Sequence, residues 1–247
     1  MSSETHASKL KSRRDKEYPV ALITGAGRGI GRATAEAFTG VGYAVAIAEL
    51  LAGLGRRTVR ALVEGGAKAA FIQTDVAGLS TVQHTVKAVL RRFGRIDCLV
   101  NNAGILRVGS LTHLSIRDLD RILAVNLRGP LILARAVLPI MARQGEGVII
   151  NVASQLGKTG LGGYVAYCAS KFGVVGFTEA LASEVQGTGV QVWAVCPGLT
   201  DTPMAGLSGV SVRERRHLIR PERVARTILE LAMGRRREPS GTAVDVL

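Results

Sequence analysis

The stretch Val20-Ala21-Leu22-Ile23-Thr24-Gly25-Ala26-Gly27-Arg28-Gly29-Ile30-Gly31 runs from an apolar segment into a glycine-rich turn. Val20–Thr24 reads as a strand. From Gly29 to Val41 the apolar residues recur at helical spacing, with Ala33, Ala37, Phe38 and Val41 facing inward. A strand that turns through glycines into a helix gathers free backbone N–H groups at the positive end of that helix. Such a point suits a pyrophosphate. Gly25, Arg28, Gly29, Ile30 and Gly31 are the candidate contacts. The spacing is GxxxGxG rather than a strict GxGxxG, because Ile30 stands where the last Gly would be.

The same alternation continues along the chain. Strands are expected at Ala44–Ala48, Ala67–Gln73, Cys98–Val100, Val148–Val152, Gln191–Val195 and Thr242–Val246. Helices are expected at Arg56–Glu64, Leu79–Phe93, Ile116–Arg143, Ala166–Gln186 and Pro221–Met233, with Pro130 bending the long one. No hairpin signal joins neighbouring strands. Strands separated by helices imply an α/β fold: a Rossmann-type, doubly wound parallel sheet in a single domain. Ligands in such sheets bind beyond the carboxyl ends of the strands. Thr24, Glu49, Asp75, Asn101, Ser154 and Pro197 fall at those ends.

Composition sets further bounds. The 247 residues and 47% hydrophobic content suit one large core. Residues 1–17 are polar, lack an apolar signal core and read as a disordered tail before a domain at 18–247. No run approaches the ~18 apolar residues of a membrane helix. Cys98, Cys168 and Cys196 show no CxxC or metal spacing, so no metal is expected and a reducing cytoplasm is the simplest location. The net charge of +13 raises nucleic acid as a partner. Aromatic residues at 4% are too few for base stacking, and a basic surface is the plainer reading. His84 and His113 fall at surface positions.

Two features carry chemistry. Glu49 ends the second strand, 18 residues past Gly31. A carboxylate there accepts from adenosine ribose hydroxyls and repels a 2′-phosphate, which favours NAD over NADP. Arg28 pulls toward NADP, since a guanidinium can meet that phosphate. Tyr167-Cys168-Ala169-Ser170-Lys171 places a phenol and an ammonium four apart, with Ser154 13 residues upstream. On a helix, Tyr167 and Lys171 share a face and can act on one reacting group.

With these residues in place, the chain resembles the short-chain dehydrogenase/reductase family over about residues 18–247, including its 3-oxoacyl-ACP reductase-like members. Thr24 to Gly31 matches the family's TGxxxGxG, and Asn101-Asn102-Ala103-Gly104 its Asn-Asn-Ala-Gly. The resemblance implies catalytic roles for Asn126, Ser154, Tyr167 and Lys171, with Asn126 holding a water that links Lys171 to solvent. It implies that Asp75 and Val76 hold the adenine. Asn102, Ala103 and Gly104 would line the cofactor. Tyr167, Lys171, Pro197, Gly198, Thr200 and Thr202 would meet its nicotinamide end. The activity implied is NAD(P)(H)-linked interconversion of a secondary alcohol and a ketone. Reduction of a 3-oxoacyl thioester and oxidation of a small alcohol both stay open, with a non-catalytic nucleotide sensor as the alternative. A homo-oligomer, dimer or homotetramer, is implied through the two long helices.

The chain departs from the family at two places. Only 18 residues separate Thr202 from Pro221, so the substrate lid, at about 203–220, is short. The chain ends Asp245-Val246-Leu247 where many relatives have Asp-Gly-Gly. Nine arginines crowd residues 213–237 (213, 215, 216, 220, 223, 226, 235, 236 and 237). They make either a solvated basic face or an attraction for an acidic acyl carrier.

Overall fold

A computed structural model of the chain describes residues 18–209 and 214–247. The tail expected at residues 1–17 lies outside the described residues, as do lid residues 210–213.

Among the described residues, seven strands form one sheet: β1 Val20–Thr24, β2 Ala44–Glu49, β3 Ala69–Gln73, β4 Cys98–Asn101, β5 Gly147–Val152, β6 Val190–Pro197 and β7 Ala243–Val246. Their order is β3-β2-β1-β4-β5-β6-β7, and every neighbouring pair is parallel. Among the described residues, seven α-helices connect them: α1 Gly29–Thr39, α2 Ala52–Glu64, α3 Leu79–Phe93, α4 Ile116–Leu123, α5 Gly129–Gln144, α6 Val165–Glu184 and α7 Pro221–Ala232. The chain runs outward from β1 to β3 and then returns to β4 on the other side of β1. The winding reverses between β1 and β4, and a crevice opens there.

The sheet is buried on both faces, which is why its strands read as continuous apolar runs. Val20 and Leu22 point to one face, where Val86, Phe93, Leu133, Val137 and Leu181 from α3, α5 and α6 cover them. Ala21 and Ile23 point to the other, under Ala35 and Phe38 of α1 and Val224 and Ile228 of α7. The period of two along β1 thus assigns each residue to one of two cores.

Several boundaries differ from the sequence reading. Helix α1 stops at Thr39 with Gly40 as its cap, and Val41 is exposed rather than inward. Helix α2 starts four residues before Arg56, through Gly53 and Gly55. Glycine weakens a helix, but here Gly55 packs on the Phe71 ring where a Cβ would collide. Strand β3 begins at Ala69, two residues after Ala67, and lies at the sheet edge, only partly buried. The long helical pattern is interrupted at Ala124–Arg128, a π-helical turn centred on Asn126. Pro130 does not bend it. Pro130 sits in the first turn of α5, where its missing N–H is harmless. By length and composition Ile116–Gln144 could cross a membrane, contrary to the expectation that no run qualifies. In this fold Leu133, Val137, Ile140 and Met141 lie within the core.

Phe38 is fully buried and meets Tyr43 edge-on, with ring centroids 4.9 Å apart. Phe38→Ala should destabilise the fold by about 3–5 kcal/mol. Urea unfolding followed by circular dichroism checks this, and a loss below about 1 kcal/mol would mean that α1 does not pack as described.

Candidate functional site

The crevice is a cavity of about 610 Å³ along the carboxyl ends of the strands. Its first wall is the glycine turn. Thr24 Oγ1 accepts from the backbone N–H of Asn102 and of Ala103, each at 3.0 Å. Asn102 Nδ2 in turn donates to the carbonyls of Thr24 (2.9 Å) and Gly25 (3.0 Å). The turn is thereby clamped to the segment after β4. Gly25 has φ +63°, and a Cβ on it would lie 2.8 Å from Ala103 Cα. Only glycine satisfies both conditions. Gly25, Arg28, Gly29 and Ile30 line the cavity, whereas Gly31 does not. Gly31 lies inside α1, where a Cβ would stand 2.5 Å from Asn102 Nδ2. Its place is in the brace behind the wall.

Glu49 is buried at the end of β2. One carboxylate oxygen accepts from Gly27 N and the other from Leu51 N, both at 3.0 Å. The negative charge is therefore fixed on the cavity wall beside the exposed Leu50 and Leu51. Asp75 Oδ1 caps its own turn through Ala77 N at 3.0 Å, and Oδ2 pairs with Arg121 at 3.1 Å. Val76, Asn102, Ala103 and Gly104 follow along the wall.

Ser154, Tyr167 and Lys171 lie on the same cavity, beyond β5 and on α6. Ser154 caps the short turn Gln155–Gly157, its Oγ accepting from Leu156 N at 3.1 Å. Tyr167 is enclosed. Burial pushes its phenol up to about 12, against a smaller downward pull from a hydrogen bond with Ser154. Lys171 is buried, and desolvation lowers its ammonium to about 8. Its Nζ donates to the Val152 carbonyl at 2.7 Å and lies 5.6 Å from the centre of the Tyr167 ring. The four-residue spacing thus puts both groups on one helix face.

Asn126 is buried behind the cavity rather than on it. Its Oδ1 accepts from Ile105 N at 2.8 Å, and its Nδ2 donates to Ile105 O at 2.9 Å and Ser170 Oγ at 3.1 Å. The side-chain amide is fully engaged in tying the π turn to α6 and to the segment after β4. Asn101 Nδ2 reaches Asn151 Oδ1 at 2.9 Å, joining the ends of β4 and β5.

Pro197, Gly198, Thr200 and Thr202 line the far end of the cavity, after β6. The short lid closes at its base, where Asp201 N donates to Ile219 O at 2.8 Å and Ile219 N to Leu199 O at 3.1 Å. Arg213 and the side chain of Arg215 lie outside the described residues. Arg216, Arg220, Arg223, Arg226, Arg235 and Arg237 are exposed, and none of them lines the cavity. Among the described residues no group of three His, Cys, Asp or Glu side chains could hold a metal ion. The three cysteines are free and buried.

The sequence reading missed part of the wall. Arg121 carries no motif of its own and reaches the cavity only because α4 leads into the π turn. Tyr164, lacking a lysine four residues later, offered no pattern, yet it lines the cavity beside Leu156 and Leu161. Leu199 and Met204 complete that side.

The short chain dehydrogenase family model matches residues 19–209. A D-threitol dehydrogenase of Mycolicibacterium smegmatis is 43% identical over 187 residues, spanning 75% of this chain and 71% of that protein. A 3-oxoacyl-[acyl-carrier-protein] reductase of Synechocystis is 39% identical over 218 residues, 86% of this chain and 88% of its own. Among solved structures, 3-ketoacyl-(acyl-carrier-protein) reductase from Brucella melitensis complexed with NADH superposes with a TM-score of 0.85 at 32% identity, covering 92% of this chain and 96% of that one.

The lowered Lys171 fixes a stability trend. Between about pH 8 and its ordinary value of 10.5 the unfolded chain binds this proton and the folded chain does not, so stability rises with pH. Raising the pH from 7.5 to 9.5 should improve wild type relative to Lys171→Met by about 2 kcal/mol in urea unfolding. No change in that difference would mean that Lys171 is not desolvated.

Proposed function

Because the chain belongs to the short chain dehydrogenase family, we propose that it interconverts a ketone and a secondary alcohol with NAD(H), using Tyr167 as the proton carrier. One observation carries this reading. A half-buried phenol, a hydroxyl and a buried ammonium share a single cavity with a glycine turn built for close backbone approach.

The residues fit a dinucleotide. The clamped turn lies on the cavity at the start of α1, where Gly25, Arg28, Gly29 and Ile30 line the wall and can meet a pyrophosphate. Glu49 receives the adenosine ribose, and Asp75 and Val76 receive the adenine. Asn102, Ala103 and Gly104 line its course. Tyr167, Lys171, Pro197, Gly198, Thr200 and Thr202 surround the nicotinamide end. When bound, the cofactor supplies a hydride equivalent to the carbonyl carbon.

The protein supplies the rest. Tyr167 carries its proton at neutral pH and can donate it to the carbonyl oxygen. Ser154 donates a hydrogen bond to the same oxygen as negative charge develops. Lys171, held by Val152 O, steadies the phenolate left behind. Asn126 acts as a positioning residue: it fixes Ile105 and Ser170 and so the wall opposite Tyr167. In the oxidative direction the same proton returns to Tyr167.

The setting of the protein follows from the same reading. Leu131 on α5, and Val165 and Phe172 on α6, remain exposed, which supports self-association through these helices. Free, buried cysteines suit a cytoplasmic enzyme.

Two experiments check these roles. Tyr167→Phe should lower single-turnover ketone reduction by at least ~10²–10⁴ while leaving NADH titration nearly unchanged. Near-normal reduction would remove Tyr167 from the proton path. Glu49 decides the choice of cofactor, since a 2′-phosphate would face its fixed carboxylate with no cation at Leu50 or Leu51. NADH should bind more tightly than NADPH. Glu49→Ser should move the affinity ratio toward NADPH by about tenfold, ~1.4 kcal/mol. Tighter NADPH binding by the wild type would refute that assignment.

A further inference from the structure

The cavity is chemically divided. Its charged side chains Arg28, Glu49, Asp75 and Arg121 all lie on the β1–β3 side or on α4. On the β5–β6 side, around Ser154 and Tyr167, Lys171 is the one charged lining residue among the described residues, and it is held by the Val152 carbonyl. Most of the remaining wall there is apolar. Leu156, Leu161, Tyr164, Leu199 and Met204 present hydrocarbon and ring surface. Gln155, the amide on that wall, gives its Nε2 to the Cys196 carbonyl at 3.1 Å and to Asp245 at 2.8 Å. Thr200 gives its hydroxyl to the Gly198 carbonyl at 3.0 Å, and Thr202 gives its own to Thr200 at 3.3 Å.

The mouth is apolar as well. Leu161 and Leu199 line the cavity yet stay 52% and 48% exposed, and Leu207 on the adjoining lid turn is 55% exposed. Exposed leucines gathered at one opening, continuous with a catalytic cavity, are surface that a bound molecule would cover.

We infer that the substrate is a free, neutral ketone or secondary alcohol whose hydrocarbon chain lies along Leu156, Leu161, Tyr164, Leu199 and Met204. The inference rests on the hydride-transfer reading above and narrows its substrate class. A polyol would bury several hydroxyls along a wall that is mostly hydrocarbon, which is unfavourable. A keto acid would bring a carboxylate to a wall whose one described cation is held elsewhere, and a coenzyme A ester would have to thread its polar pantetheine arm past the leucines of the mouth. The exposed arginines of residues 216–237 lie outside the cavity, so they cannot meet such an anion at the reacting carbon.

The test is a panel of 2-ketones from four to eight carbons, assayed by NADH oxidation at 340 nm with wild type and a Leu161→Ser/Leu199→Ser variant. A polyol-derived ketose, a 2-keto acid and a 3-oxoacyl coenzyme A ester complete the panel. For wild type, kcat/KM should rise roughly three- to fourfold per methylene, the gain expected from burying one CH₂. The ketose, the keto acid and the ester should each be turned over at least tenfold more slowly than a ketone of equal chain length. The double variant should flatten the chain-length slope. A flat slope in wild type, a slope that survives in the variant, or preference for the ketose, acid or ester would each overturn the inference while leaving hydride transfer standing. Absence of turnover with every carbonyl would instead sink the hydride-transfer reading, and this inference with it.

Discussion

The site depends on the clamp between the glycine turn and the segment after β4. Thr24 Oγ1 takes two backbone N–H groups from Asn102 and Ala103, and Asn102 returns its amide to two carbonyls of the turn. This clamp crosses the point where the sheet winding reverses. It holds open the crevice and fixes the start of α1, so the backbone N–H groups there have one direction. Gly25 makes the approach possible, because any side chain would strike Ala103. Glu49 secures the next residues of the turn through Gly27 N, so one carboxylate both shapes the loop and gives the wall its charge.

The second half of the site hangs on the π turn at Ala124–Arg128. A regular helix through Asn126 would have continued α4 into α5 without a break. The wider turn lets Asn126 grip both the backbone of Ile105 and Ser170 of α6. Helix α6 carries Tyr167 and Lys171, so the orientation of both groups is set from behind. Burial then sets their chemistry: it raises the phenol to about 12 and lowers the ammonium to about 8. The ammonium does not account for the state of the phenol in the protein alone. Desolvation dominates, and it disfavours the phenolate.

Much of this was legible in the sequence, for local reasons. The glycine turn, the acid at the end of β2 and the Tyr167–Lys171 spacing each act through residues near one another in the chain. The alternation of strands and helices was equally local, and it specified the parallel sheet. What escaped was tertiary. Gly55 continues a helix against its propensity because Phe71 lies over it. Pro130, which looks like a kink, belongs to a first turn, whereas the real irregularity falls at Asn126. Arg121, Tyr164 and Leu199 join the cavity from separate segments with no shared pattern. Gly31 matches the motif as well as Gly29 does, yet it braces the wall rather than forming it.

The central claim is direct hydride transfer from the dihydronicotinamide to a carbonyl carbon, with the proton delivered by the protein. Reduction of a simple ketone with NADH carrying deuterium at C4, in ordinary water, tests it by mass spectrometry of the alcohol. The account requires deuterium from one C4 face of the cofactor, retained on the carbinol carbon. An alcohol free of deuterium with either face labelled, or label lost to solvent protons, would contradict it.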